Sequence, residues 1–246
     1  GITGDIWFKT DGSAGSIPLD IGMWENQKFI PAFTQYQTIS DEEAKAKNYK
    51  LIEINDQNLT EIRIVHAGID INEISNVDVS GNYTIDFYLW FRFQGTFDDK
   101  NIRFTNAIDP IRLERPVMEE TVGNITTRSY RIKGLFKADF DLYSYPFDTH
   151  LLPINIRFNE NRLEEKLIYV PDVLGMHQNT QKADIEKRMI DTTGIADWHV
   201  SDISFYHTTF SDKNMNTKNT IDYSQFNVGI RIERKGSQHV FGEFFP

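Results

Sequence analysis

The feature that most constrains the fold is a period-two alternation of apolar residues. Between positions 83 and 93 every odd residue is apolar, whereas the even positions include polar and mixed side chains such as Asp86 and Arg92. Successive side chains of a strand point to opposite faces, so this segment predicts a long strand with one face in a core. The same alternation occurs at 130–142, at 152–158 and at 226–232.

Turn-forming residues separate these segments. Ser, Gly and Asn occupy positions 80–82, Gly and Asn occupy 123–124, and a polar stretch covers 211–219. Helical signals are few: one short helix is expected to open at 40–43, with a Ser N-cap and an acidic first turn, and another at 179–189. The pattern predicts a mainly β fold, an immunoglobulin-like antiparallel β-sandwich with one or two short helices.

Composition narrows the class of protein. The 246 residues carry a formal net charge of −10, which argues against a nucleic-acid binder, because such a protein needs a basic face for phosphates. There is no cysteine, so a disulfide framework is excluded, and no apolar run is long enough to span a membrane. No catalytic signature is present, so we expect neither an enzyme nor a cofactor or metal site.

The first 39 residues differ in character from the rest. They carry short Gly-x-x-Gly, Asp-Gly and Lys-Phe-Ile-Pro motifs, which resemble the last strands of type I periplasmic binding proteins. The alternative is a plain N-terminal hairpin. We therefore expect an N-terminal hairpin segment at 1–39, a linker with a short helix at 40–60, and the sandwich at 61–246. Both ends look cut, which predicts that the natural protein continues on each side.

The most specific motif is Tyr145-Pro146-Phe147-Asp148, preceded by Asp141. A proline between aromatic residues favours a tight turn. The motif resembles the signature loop of pentameric ligand-gated ion channels, prokaryotic type. Six further segments resemble that family in order and spacing; they are 62–74, 76–78, 83–93, 102–106, 197–200 and 229–234.

The chain departs from the family at several places. Ala138 and Leu152 stand where many members have bridging cysteines, and Phe93 stands where the family has a structural tryptophan. The tryptophan motif of loop A is missing, and Ile221 replaces an aromatic residue of loop C. The aromatic box for quaternary amines is therefore incomplete, and acetylcholine-like specificity is not expected.

The resemblance implies a small-molecule ligand between neighbouring subunits. Aromatic faces with a carboxylate suit an amine by cation–π attraction, whereas Arg92 suits a carboxylate such as that of an amino acid. The alternative is that Tyr88 and Trp90 only pack at a subunit interface. The expected ligand-binding residues are Tyr88, Trp90, Arg92, Phe158, Glu160, Tyr206, Phe210 and Tyr223.

The resemblance also implies a coupling region facing the chain's own transmembrane domain. There Asp78, Asp148 and Arg234 would form an electrostatic triad. Two carboxylates on one guanidinium form a stronger network than an isolated surface pair, although an ordinary surface ion pair is the alternative. The other expected coupling residues are Tyr145, Pro146, Phe147 and Arg231.

These expectations describe the ligand-sensing domain of a homopentameric channel on the periplasmic or extracellular face of a membrane. Two other functions stay open. The first is a sensory domain in front of a kinase or cyclase. The second is a carbohydrate-binding or adhesion sandwich, in which Trp7, Trp24 and Trp90 would stack on sugars.

Overall fold

The computed structural model describes residues 21–39, 51–54, 57–141, 143, 145, 147–158, 166–176, 198–213 and 220–235; at 166, 210–213 and 220–223 it describes the backbone only. Thirteen strands lie in these ranges. They are β1 (Gly22–Glu25), β2 (Lys28–Pro31), β3 (Thr34–Thr38), β4 (Leu51–Ile54), β5 (Gln57–Ser75), β6 (Asn82–Gln94), β7 (Ile102–Phe104), β8 (Met118–Val122), β9 (Ile125–Lys137), β10 (Thr149–Phe158), β11 (Lys166–Pro171), β12 (Trp198–Lys213) and β13 (Thr220–Arg234).

Two sheets form the body of the molecule. The larger has the order β11-β5-β6-β9-β8, with β3 and β4 also paired to β5, and the smaller has the order β12-β13-β10-β7. The apolar faces of both sheets contribute to one buried cluster, in which Phe87 and Phe136 of the larger sheet meet Phe104 of the smaller one at ring-centroid distances of 6.2 and 6.1 Å. The expected mainly β fold, with antiparallel sheets packed as a sandwich, is confirmed.

The alternation in the sequence maps directly onto this core. All odd residues of β6 from Tyr83 to Phe93 are buried, and so are the even residues from Phe226 to Ile232 in β13. Each segment pairs as an antiparallel strand, β6 with β9 and β13 with β10. The hydrophobic effect therefore fixes which face of each strand points inward, because a slip by one residue would expose the whole set.

Strand β5 is unusually long at 19 residues and has different neighbours along its length. Its first part pairs with β4 and β3, and residues from His66 onward pair with β6. Strand β11 runs parallel to β5 between Ile62 and Ala67. This parallel pair departs from the expected purely antiparallel sandwich; a parallel pair needs a long crossover rather than a hairpin, and the sequence carries no local signal for it.

An N-terminal hairpin forms a separate two-stranded sheet from β1 and β2. Its turn residues Asn26 and Gln27 have φ of 47° and 62°, the left-handed conformation that suits a two-residue hairpin loop. Strand β3 then joins the larger sheet beside β5. The hairpin expected in residues 1–39 is thus present at Gly22–Pro31, and the part before residue 21 lies outside the described residues.

The expected turns at 80–82 and 123–124 are confirmed, with Gly81 at φ 83° and Gly123 at φ 65°. The expected polar turn at 211–219 is wrong at its start, because β12 continues to Lys213, which pairs with Thr220. Cross-strand pairing extends both strands despite their polar composition.

The two expected helices fall at 40–43 and 179–189, outside the described residues. Among the residues described, no helix is long and apolar enough to cross a membrane.

Candidate functional site

The outer face of β6 carries the residues expected on the complementary side of a ligand site. Trp90 is half-buried, and its Nε1 donates a hydrogen bond to Oδ2 of Asp172 at 2.9 Å. The indole lies against two glycines: a Cβ at Gly68 would collide with it, and one at Gly175 would come within 2.9 Å of its Nε1. Trp90 is therefore held in a slot that any larger residue at those positions would close.

Arg92 occupies the same face and is bound by two carboxylates. Its Nη1 lies 3.0 Å from both oxygens of Glu25 on the hairpin, and its Nη2 lies 3.2 Å from Oδ1 of Asp172. The arginine side chain is 12% exposed and Asp172 is 3% exposed. The hairpin also contacts this region through Lys28, whose Nζ donates to the carbonyl of Val173 at 2.9 Å. These contacts fasten the hairpin to the sandwich over Arg92.

His66 lies beneath the same hairpin and is almost fully buried. Its Nε2 is 3.1 Å from the carbonyl of Pro31, which can only accept, so Nε2 carries the hydrogen and Nδ1 is bare. Nδ1 is buried and has no hydrogen-bond partner among the described residues. Burial and the nearby charge of Arg92 lower the pKa of His66 to about 4, against the smaller opposing effect of Asp172.

Two of the three residues expected on β6 are thus engaged within the chain. Glu25, His66 and Asp172 surround Trp90 and Arg92, and none of these three was predicted from the sequence as a site residue. No local pattern marks them, because Glu25 and Asp172 are 67 and 80 residues from Arg92. Trp90 is thus packed and hydrogen-bonded within the chain itself, and its expected packing at a subunit interface stays a prediction.

Tyr88 lies in another charged environment on the same face. The guanidinium of Arg131 lies 6.0 Å from the centre of its ring, and Arg131 donates from Nη2 to Oδ2 of Asp86 at 3.0 Å. Burial raises the pKa of Asp86, but hydrogen bonds from Arg131 and Asn72 outweigh it and the net pKa is lowered. Tyr88 itself is half-buried and lies next to this ion pair.

The other expected ligand residues do not gather around Tyr88 in the part of the chain that the structure describes. Phe158 is half-buried against the core, with its ring 6.0 Å from that of Phe97 in a stacked arrangement. Tyr206 is 43% exposed on β12. Phe210 and Tyr223 are cross-strand partners between β12 and β13, and only their backbone is described. Glu160 lies outside the described residues.

Two of the expected coupling residues, Asp148 and Arg234, form a buried and hydrogen-bonded ion pair. Asp148 is 1% exposed, and its Oδ1 and Oδ2 accept hydrogen bonds from Nε and Nη2 of Arg234 at 2.9 and 3.0 Å. Nε2 of His150 lies 2.8 Å from Oδ2. The Arg234 hydrogen bond holds the pKa of Asp148 far below its ordinary value; burial opposes this and His150 adds to it.

Aromatic rings enclose the guanidinium of Arg234. Its centre lies 4.2 Å from the ring centre of Trp198 and 5.0 Å from that of Tyr145. The Tyr145-Pro146-Phe147-Asp148 motif thus contributes Tyr145 and Asp148 to the same arginine, and Trp198 comes from β12. A bidentate carboxylate and two aromatic faces together fix both the position and the plane of the guanidinium.

Asp78, the third expected member of the triad, organises its own turn. Its Oδ1 accepts from the backbone N–H groups of Ser80 and Asn82 at 2.8 and 3.0 Å, and its Oδ2 accepts from the Asn82 side chain at 2.9 Å. These hydrogen bonds, with the Asn82 side chain first, lower the pKa of Asp78. We call residues 76–81 the β5–β6 turn.

The β5–β6 turn nevertheless reaches the same end of the sandwich as Arg234. The N–H of Ala138 donates to the carbonyl of Gly81 at 2.8 Å. Two residues later, the ring of Phe140 stacks on that of His150 with a centroid distance of 3.9 Å. A series of direct contacts therefore connects the turn that holds Asp78 with Asp148, although the carboxylate of Asp78 itself closes its own turn.

This end of the molecule also exposes apolar side chains. Val79 in the β5–β6 turn is 69% exposed, and the loop between β9 and β10 presents Tyr143, Tyr145 and Phe147 at 94%, 66% and 46%. Arg231 on β13 is exposed as well, whereas Pro146 lies outside the described residues. We call the β5–β6 turn and the described residues of the β9–β10 loop the loop end.

No protein-family model matches the chain, and no curated protein matches it either. Within the described ranges, no three His, Asp or Glu side chains are grouped in a way that could hold a metal ion. A functional assignment of this chain therefore depends on its fold and on the geometry around Arg92 and around Arg234.

Proposed function

We propose that this chain is the extracytoplasmic ligand-sensing domain of a membrane receptor, of the kind found in pentameric ligand-gated ion channels. The observation that carries the proposal is the buried Asp148–Arg234 pair, which joins the motif loop to the last described strand at the loop end. In the full-length protein this pair couples the sandwich to the membrane-embedded part.

A geometric role explains the pair better than a stabilising one. Taking two charges out of water costs several kcal/mol for each ion, so a buried ion pair is weak evidence for stability. Its two parallel hydrogen bonds do, however, specify the orientation of both groups. Asp148 leads into β10 and Arg234 ends β13, and the two strands are neighbours whose backbones also meet where the Arg234 N–H approaches the Asp148 carbonyl at 3.4 Å. A change in the pair would thus move loop and strand together.

The exposed aromatic loop supports contact with another surface. Scattered single apolar residues on a surface are normal, but several on two adjacent loops indicate an interaction site. Tyr143 and Tyr145 also carry hydroxyl groups, which suit the boundary between water and an apolar environment. The partner we propose is the protein's own transmembrane domain.

The decisive experiment uses the full-length gene product expressed in cells and recorded under voltage clamp. A panel of the standard amino acids and simple amines is applied to find an agonist. With that agonist, Arg234→Gln abolishes or strongly reduces the current at unchanged surface expression, because the charge of the pair is lost. The matched control is Arg103→Gln, an exposed arginine on β7, which leaves the current near wild type.

The outcome that contradicts the proposal is a normal current from the Arg234 variant. A full-length gene product with one membrane span before a kinase or cyclase domain would instead support the sensory alternative. The assembly is tested on the same preparation: a homopentamer of the full-length protein is expected, measured as its native mass in detergent.

A second candidate function is supported by the hairpin. Trp24 is 73% exposed and Phe29 is 69% exposed, with ring centres 6.5 Å apart, and such a pair can stack on a sugar ring. A glycan array tests this: binding that disappears in Trp24→Ala and persists in Arg234→Gln would favour a carbohydrate-binding module. Trp90 is a poorer candidate, because Asp172 and two glycines already surround its indole.

A further inference from the structure

His150 is a buried residue that the coupling role described above does not use. Its side chain is 2% exposed, and its Nε2 approaches Oδ2 of Asp148 at 2.8 Å. Because Asp148 is ionised, Nε2 must carry a hydrogen and donate it. Oδ2 therefore receives hydrogen bonds from both His150 and Nη2 of Arg234, whereas Oδ1 receives the one from Nε of Arg234.

His150 belongs to a paired strand, whereas Asp148, the residue that it binds, lies just outside that strand. Asp148 precedes β10 and belongs to the end of the motif loop, whereas His150 lies within β10 and pairs with Ile232 of β13. A hydrogen bond from a sheet residue therefore ties the loop carboxylate to the sheet. Without it, the carboxylate could rotate about its side-chain bonds and keep only part of its bidentate geometry with Arg234.

Two rings fix the imidazole in turn. Phe140 stacks on it with an interplanar angle of 10° and a centroid distance of 3.9 Å, and Trp198 meets it at 63° and 5.2 Å. Phe140 follows Ala138, whose N–H donates to the carbonyl of Gly81 in the β5–β6 turn. A displacement of the β5–β6 turn can therefore reach the imidazole through Ala138 and Phe140, without the Asp78 carboxylate.

We propose that His150 is a positioning residue that holds Asp148 for Arg234 and transmits displacements of the β5–β6 turn, through Phe140, to that pair. The positioning of Asp148 by His150 follows from the contacts alone, whereas the effect of His150 on gating rests on the proposed function. Asp148, Arg234 and His150 would then form a three-residue cluster in which His150 binds the carboxylate of Asp148, in place of a second carboxylate on Arg234.

The first test separates hydrogen bonding from ring packing with two substitutions. His150→Phe keeps an aromatic ring for Phe140 but loses the donor, whereas His150→Gln keeps a donor but loses the ring. In each background of the 246-residue chain, a double-mutant cycle with Asp148→Asn and Arg234→Gln measures the coupling of the pair from urea unfolding.

We expect the wild-type pair to change the unfolding equilibrium constant by a coupling factor of about ten or more. His150→Gln keeps most of that factor, and His150→Phe reduces it to about threefold or less. An unchanged factor in His150→Phe overturns the proposal. An equal loss of the coupling factor in His150→Gln also overturns the proposal, because the loss of ring packing would then explain both results.

The second test needs no substitution at His150, so it applies even where the variants fail to fold. In the 15N-labelled chain, the nitrogen shifts of His150 are expected to show a hydrogen on Nε2, and Phe140→Leu is expected to move that resonance. Leu151→Ala, which changes an exposed neighbour, is the control and leaves it in place. A hydrogen on Nδ1 alone, or no response to Phe140→Leu, overturns the positioning role.

The two proposals can fail separately. Both tests above use the 246-residue chain alone, so their failure removes the inference on His150 and leaves the receptor function standing. Conversely, a normal current from Arg234→Gln removes the coupling function whatever His150 does. If both hold, the full-length His150→Phe receptor has an impaired current, and His150→Gln retains most of it.

Discussion

His66 provides a prediction with a magnitude that the structure sets. The imidazole is 1% exposed, and its pKa falls from the ordinary 6.5 to about 4, mainly through burial and the charge of Arg92. The unfolded chain therefore takes up a proton at this residue at a higher pH than the folded chain does. Stability from His66 is fully present above pH 6.5 and is lost progressively as the pH falls from 6.5 toward 4.

The expected loss follows from these two values. Between pH 7.5 and pH 5, most of the His66 side chains become protonated in the unfolded chain but only a small fraction in the folded chain, and this difference lowers the unfolding free energy by about 2 kcal/mol. The physical cause is that Nδ1, once protonated, would be a buried N–H without a described acceptor beside a guanidinium.

Urea unfolding at pH 7.5, 6 and 5 measures the effect, with His66→Gln as the matched variant. Glutamine keeps an N–H donor for the Pro31 carbonyl but does not titrate, so its stability should depend less on pH by about 2 kcal/mol over this range. A proton NMR titration of the folded chain gives the second readout. A His66 midpoint near 6.5, or an equal pH dependence of stability in both proteins, would contradict this prediction.

Two further predictions concern single contacts. Gly81→Ala should lower the unfolding free energy by roughly 2 kcal/mol or more, because Gly81 has φ 83° and a Cβ would collide with the Ala138 carbonyl. Gly95→Ala is the control: Gly95 has φ 75° with open space around it, so the substitution should cost only about 1 kcal/mol. Equal losses of unfolding free energy in urea would show that the collision does not occur. Glu25→Gln should speed hydrogen exchange of the β1–β2 hairpin amides about tenfold relative to wild type, because the charge-assisted bonds to Arg92 are lost; unchanged exchange there would show that other contacts hold the hairpin.

The strands of this protein were predictable because their signal is local. Alternation with a period of two identifies β6, β10 and β13 and the face that each buries, since the sandwich excludes water from one side of each of these strands. Turn residues with a special backbone conformation, such as Gly81 and Gly123, mark the ends of strands for the same reason. The parallel pairing of β11 with β5 has no such signal, and the sequence did not predict it.

The candidate sites divide in the same way. The sequence identified Asp148 and Arg234 only through a resemblance, and at a separation of 86 positions it gives no physical reason for their contact. The structure brings them together because β10 and β13 are neighbours in one sheet. It also decides that His150 shares the carboxylate while Asp78 closes a turn.

The sequence alone predicted the positions and inward faces of β6, β9, β10 and β13, because burial of apolar side chains acts at every second residue along one segment. Only the tertiary structure decided which polar residues meet, as where the hairpin lays Glu25 on Arg92 and the end of β11 brings Asp172 there. A charged residue can be buried near the core when a distant segment of the chain supplies a partner of opposite charge. The arrangement of the strands decides which segment lies close enough to do so.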